Sequence, residues 1–249
     1  MTYCLGMLLE SGLILMADTR TNAGIDDFST FRKLHLLSTE RDRQIYGATA
    51  GSLSISQTVV SLLQEDQLAA ETGEHSRCLS ETPTMFRAVQ LVGEAVQRAG
   101  ATIGEALERA HIDHSVELLV GGRIADGPLK LFLVYSVGNF IECTPDVPFL
   151  QIGETKYGRP ILDRTLRYDT PLPDAVKIGF LSFSSTMKSN LGVAQPIDLL
   201  VVPADREQPI ISRRVERGDR YFAEIAERWG ELLNQATRSI PNPPWMTQT

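Results

Sequence analysis

The sequence opens Met1-Thr2-Tyr3-Cys4-Leu5-Gly6-Met7-Leu8-Leu9-Glu10-Ser11-Gly12-Leu13-Ile14-Leu15-Met16-Ala17-Asp18. Thr2 to Leu9 is an apolar run that suits a buried strand, and Leu13 to Ala17 is a second one. Glu10-Ser11-Gly12 between them is a turn signal, so the stretch predicts a hairpin. A hairpin brings the end of its second strand back beside the start of its first, which puts Asp18 next to Thr2. If Met1 is removed, Thr2 carries a hydroxyl and a free α-amine on one residue. An α-amine titrates at about 7.7–8.0, so much of it is an available base near neutral pH. Threonine activated by its own terminal amine is a nucleophile–base pair that needs no distant histidine.

Beyond the hairpin, Asp18 to Gly24 is polar and turn-rich. Phe31-Arg32-Lys33-Leu34-His35-Leu36 alternates, predicting a strand with Phe31, Lys33 and His35 on one face. An inward lysine needs a partner, and Asp18 is the natural candidate. Gln44 to Gly47 predicts a short strand, followed by a small-residue turn, Ala48-Thr49-Ala50-Gly51-Ser52.

Helical periodicity then runs from Ser54 to Glu71 and, after a polar break, from Met85 to Ala99, continuing past Gly100. Strands are expected at Val116–Ile124, Leu129–Val137 and Phe140–Cys143, separated by the hairpin signals Asp126-Gly127 and Gly138-Asn139. Two more helices, Thr155–Tyr168 and Pro173–Ser189, precede a strand pair at Ile197–Val202 and Ile210–Val215. A terminal helix, Asp219–Ala236, gathers Phe222, Ile225, Ala226, Trp229, Leu232 and Leu233 on one face, as core or subunit interface.

This order suits an α+β fold of two stacked antiparallel sheets with helices on both outer faces, a four-layer αββα sandwich. Residues 1–240 read as one domain and 241–249 as a Pro-rich tail. Val60 and Leu91 lie off the obvious core stripe of the first helix pair. They predict a second apolar face that packs against another copy of the chain.

Composition excludes several function classes. The chain has 249 residues, 43% of them hydrophobic, enough for a sizeable core. A formal net charge of −7 disfavours nucleic acid and anionic membranes as partners. The sequence shows neither a membrane-span run nor the basic and apolar segments of a signal peptide, and Cys4, Cys78 and Cys143 lack metal-type spacing. A cytoplasmic protein with reduced thiols is expected. His111 and His114 with Asp113 read as solvated surface rather than a metal site. Gly121-Gly122 lacks a phosphate-loop pattern. No metal or organic cofactor is expected.

Several elements in order resemble the bacterial proteasome-type subunits of the N-terminal-nucleophile hydrolases, and more closely their ancestral-β-subunit branch, Anbu. These are Thr2 and Gly6, Asp18-x-Arg20 with Ala23-Gly24, Phe31-Arg32-Lys33, and Ala50-Gly51-Ser52 with Gln57. Gly121-Gly122 with Asp126-Gly127, and Ser189-Asn190 before Pro196-Ile197-Asp198, continue the match over nearly the whole chain. The direct Met1-Thr2 start and Gly153-Glu154-Thr155-Lys156-Tyr157-Gly158 fit the ancestral branch better than typical β subunits.

The resemblance implies a threonine peptidase with Thr2 as nucleophile. Lys33 would favour the developing alkoxide, Asp18 would hold Lys33, and the Gly51 N–H would stabilise the oxyanion. Ser189 would polarise the terminal amine, and Asn22 and Gly51 would bind substrate. It also implies peptide or protein substrates and a homo-oligomer, an open ring or short spiral, with any unfoldase unspecified.

The sequence departs from the family pattern at three points. Thr186 stands where the terminal-amine network usually has an aspartate, and no carboxylate lies between Leu181 and Asn190. Asn22 replaces a substrate-binding threonine, and Lys33 is one residue closer to Asp18 than in most β subunits. Two alternatives stay open: an amidase acting on a small amide, and a feebly active assembly subunit.

Overall fold

The computed structural model describes residues 2–22, 28–38, 42–73 and 77–246. Met1 and the Ala23-Gly24 element lie outside the described residues, as does the Asn22 side chain. The opening hairpin forms as read. β1 (Tyr3–Leu9) pairs antiparallel with β2 (Gly12–Asp18), and every residue of both strands is buried. Strands covered on both faces have no polar alternation, which is why they read as continuous apolar runs.

Three short or medium strands follow: β3 (Arg20–Asn22), β4 (Phe28–Thr30) and β5 (Leu34–Ser38). Then come β6 (Arg43–Gly51), helices α1 (Leu53–Glu71) and α2 (Met85–Arg109), and β7 (Val116–Ile124). The remaining elements are β8 (Lys130–Val134), β9 (Phe140–Glu142), β10 (Phe149–Gly153), α3 (Arg159–Thr165), α4 (Leu172–Ser189), β11 (Ile197–Pro203), β12 (Ile211–Val215) and α5 (Arg220–Ser239). One five-stranded antiparallel sheet has the order β10-β1-β2-β11-β12, and a second has the order β5-β6-β7-β8-β9.

The two-residue period of a strand sorts the core. Tyr3, Leu5, Met7, Ile14 and Met16 join residues of α3, α4 and α5 in one apolar cluster. Cys4, Leu8, Leu13, Leu15 and Ala17, on the opposite face, meet Tyr46, Ala48, Ala50, Leu119 and Leu131 of the second sheet. The other face of that sheet packs on α1 and α2 through Ile45, Leu118, Val120 and Phe132. Among the described residues no helix is long and apolar enough to cross a membrane.

Several expectations need correction. Ala48 to Gly51 is not a turn: β6 runs on through it, paired with β7 as far as Gly51 opposite Val116. Small side chains there face the other sheet rather than punctuate the chain. The helix expected at Thr155–Tyr168 is confined to Arg159–Thr165, and β10 precedes it where no strand was expected.

Lys33 lies just before β5 rather than within a strand, and Phe31 is exposed while Lys33 is buried, so the two do not share a face. Leu91 is only 8% exposed and belongs to the α1–α2 core, so it offers no second face. The apolar face of α5 divides between core and surface, as expected for a helix that is core or interface: Phe222 is buried, Ile225 and Trp229 are partly buried against the same cluster, and Leu232 and Leu233 are exposed.

Candidate active site

The sheets position the site at one end, where β1 starts and β2, β6 and β10 finish. Asp18 closes β2 opposite Tyr3, as the hairpin requires, and is 0% exposed. Its Oδ1 accepts the Tyr3 N–H at 2.9 Å and Lys33 Nζ at 2.9 Å, and its Oδ2 accepts the Arg20 N–H at 3.1 Å. Lys33, 4% exposed, also donates from Nζ to the Arg20 carbonyl. Its own carbonyl accepts the Thr49 N–H, which fixes the segment against β6.

Asp18 thus ties the lysine to the peptide that joins Thr2 to Tyr3. Burial is the largest influence on this carboxyl and raises its pKa. The Lys33 ammonium and the two backbone donors oppose that rise. All three partners are donors, so the ionised carboxylate is the form that fits.

Thr2 is 8% exposed and lines a cleft of about 540 Å³ with Ala50, Gly51, Ser115, Gly153 and Glu154. Gly51 has φ +96°, and a Cβ there would lie 2.2 Å from the Ser115 carbonyl oxygen. Only glycine fits such a place without strain. N–H groups alternate between the edges of a strand. Thr49 N–H points to Lys33 and Ser52 N–H to Ser115, so the Gly51 N–H points to the Lys33 edge of β6.

Beneath Thr2, the Tyr3 hydroxyl hydrogen-bonds to Ser182 Oγ at 2.7 Å and accepts Gln151 Nε2 at 2.6 Å. Burial raises the pKa of this phenol, which keeps it neutral.

The structure therefore brings together Thr2, Asp18, Lys33 and Gly51. Ser189 is different. It ends α4 with an exposed side chain, and its neighbour Asn190 donates to Glu154 at 2.8 Å. Thr186 is fully buried and donates back to the Ser182 carbonyl, an ordinary helix contact. Asn22 pairs through its backbone with Phe28 across β3 and β4. The Arg20 guanidinium donates to the Leu191 carbonyl at 2.9 Å. Sequence reasoning missed Glu154 and the Ser115 wall of the cleft. Only the Gly153-Glu154 spacing carries a signal in the sequence, as a family element that assigns the carboxylate no role.

No protein-family model matches the sequence, and no curated protein matches it. Among solved structures, the fold matches subunits of proteasome type. Anbu (ancestral beta-subunit) from Yersinia bercovieri is 40% identical with a TM-score of 0.84, over 97% of this chain and 99% of that one. Anbu from Hyphomicrobium sp. strain MC1 is 40% identical with a TM-score of 0.86, over 97% and 99%. A structure described as the helical assembly of the Anbu complex from Pseudomonas aeruginosa is 41% identical with a TM-score of 0.88, over 99% and 100%. The chain belongs to the Anbu family, the ancestral-β-subunit branch of the proteasome-type peptidases.

Proposed function

We propose that this chain is a four-layer αββα threonine peptidase that cleaves peptide amide bonds through Thr2 after removal of Met1. The observation that carries the reading is the buried Asp18 carboxylate, which joins Lys33 to the Thr2–Tyr3 peptide beside an open cleft. The Thr2 α-amine takes the hydroxyl proton, and Oγ1 attacks the substrate carbonyl carbon. Lys33 favours the developing alkoxide, and the Gly51 N–H donates to the tetrahedral oxyanion. The amine returns the proton to the leaving amine, and water then hydrolyses the Thr2 ester. Peptides bind in extended form by main-chain hydrogen bonds at Gly51 and Asn22. Ser189 acts from the margin of the site, next to Asn190.

The protein works in the cytoplasm as a homo-oligomer, an open ring or helical array. Support comes from the Pseudomonas aeruginosa relative, described as a helical assembly, and from the exposed Leu232 and Leu233 of α5. Hydrolysis of a fluorogenic peptide panel, set against small acyl-amides, tests the activity. Wild type should cleave peptides and Thr2→Ala should not. Equal rates in the two proteins, or cleavage of small amides alone, would sink the reading.

A further inference from the structure

Glu154 follows β10 and is 6% exposed. Its N–H donates to the Thr2 carbonyl at 2.7 Å. The β1–β10 register pairs Tyr3 with Gly153, so one further step sets Glu154 opposite Thr2. The direction of the Thr2 nitrogen follows from strand geometry. Tyr3 N–H points to the β2 edge, where Asp18 accepts it, and successive N–H groups alternate. The Thr2 carbonyl points to the β10 edge, and a strand residue turns its nitrogen to the same edge as its carbonyl. The Thr2 nitrogen therefore faces Glu154, and both residues line the one cleft.

The carboxylate is half occupied. Oε2 accepts Asn190 Nδ2 at 2.8 Å, which anchors the side chain. Oε1 is buried without a hydrogen-bond partner among the described residues, and the exposed Lys156 Nζ is 3.7 Å from it. A buried charged oxygen without a donor is costly, so its persistence points to a partner. Meanwhile α4 lacks the carboxylate that the terminal-amine network would otherwise use, with Thr186 in its place.

We propose that Glu154 holds the α-ammonium of processed Thr2, with Oε1 accepting one of its N–H groups, and so positions the amine for proton transfer with the threonine hydroxyl. The inference rests on the reading of Thr2 as an amino-terminal nucleophile. Glu154 acts through the amine and is a positioning residue. Other charged groups also face the amine. Asp18 and Lys33 lie on the β2 side, bonded to each other. Asp113 and Glu117 line the opposite wall, with Asp113 Oδ1 taken by the Ser115 N–H at 2.9 Å. Glu154 alone among them presents a buried oxygen with no hydrogen-bond donor among the described residues, its nearest cation being the exposed Lys156 ammonium at 3.7 Å.

The test titrates the Thr2 amine in the full-length processed protein. Reductive methylation with ¹³C-formaldehyde gives a dimethylamine whose ¹³C shift reports its protonation. Removing an opposite charge at hydrogen-bond range lowers the midpoint by about one pH unit. Glu154→Gln, which keeps an acceptor for Asn190, should show that fall. Glu154→Asp should recover part of it, and Asp113→Asn should shift it much less. A merely structural role would leave the midpoint where it is in wild type. An unmoved midpoint in Glu154→Gln, or an equal fall in Asp113→Asn, overturns the proposal, as does a purified chain that retains Met1. Peptide hydrolysis by the same samples separates the two readings. A shifted midpoint without wild-type hydrolysis defeats the peptidase reading alone, and hydrolysis with an unmoved midpoint defeats the Glu154 assignment alone.

Discussion

Replacing either member of the Lys33–Asp18 pair should destabilise the protein, and the two changes should differ in a set order. Lys33→Met leaves a fully buried carboxylate with the N–H donors of Tyr3 and Arg20 but no counter-charge. Stranding one member of a buried pair costs about 3–5 kcal/mol. Asp18→Ala strands the ammonium, which keeps the Arg20 carbonyl, and also orphans the buried Tyr3 N–H. That orphan adds about 1–3 kcal/mol.

Against a total of about 5–15 kcal/mol, Asp18→Ala removes a large share of the stability and costs more than Lys33→Met. Urea unfolding at one fixed protein concentration, followed by tryptophan fluorescence of Trp229 and Trp245, measures both. The pH dependence has a definite sign. Burial raises the Asp18 pKa, and Lys33→Met removes the charge that opposes the rise. A carboxyl with a raised folded pKa stabilises most below its unfolded value, about 3.9, and loses that stability as pH rises through the folded value. The deficit of Lys33→Met should therefore grow from pH 4 towards neutrality. Losses below about 1 kcal/mol would refute the argument, as would Lys33→Met being the costlier change.

Three further expectations can be checked directly. Gly51→Ala forces φ +96° on a side-chain-bearing residue and drives its Cβ to 2.2 Å from the Ser115 carbonyl, so a loss of at least about 1–3 kcal/mol should appear in urea melts. Cys143, whose pKa burial pushes up to about 12, and Cys4, raised further by burial, should resist iodoacetamide at pH 8 until the protein is denatured, as read by peptide mass. Leu91→Asp puts a charge into the α1–α2 core and should prevent stable folding by circular dichroism. Leu233→Asp, on an exposed face, should keep the native spectrum and lower the assembly mass by light scattering.

The parts of the fold that the sequence disclosed are those with local causes. Two buried strands read as apolar runs, Gly12 marked their turn, and the hairpin alone then set Asp18 beside Thr2. Lys33 was legible because a cation in an apolar setting needs a counter-charge, even though its segment is not a strand. What stayed hidden depends on distant partners. β10 is five residues between Pro148 and Glu154, and its strand character comes from pairing with β1 at the far end of the chain. Without that pairing nothing sets Glu154 opposite Thr2. Ala48 and Ala50 have small side chains that suggest a turn, and only the approach of Cys4 and Ala17 from the other sheet explains them as strand. Leu91 lay off the expected stripe because α2 buries a wider face, from Ala88 and Val89 to Val92 and Ala95.

The most direct test of the central claim is where an acylating electrophile attaches. The purified protein, treated with a β-lactone at neutral pH, should show an intact mass lacking Met1 and carrying one acyl group. Peptide mapping should assign that group to Thr2, and Thr2→Ala should stay unlabelled. A mass that retains Met1, or an adduct on any residue other than Thr2, would contradict it.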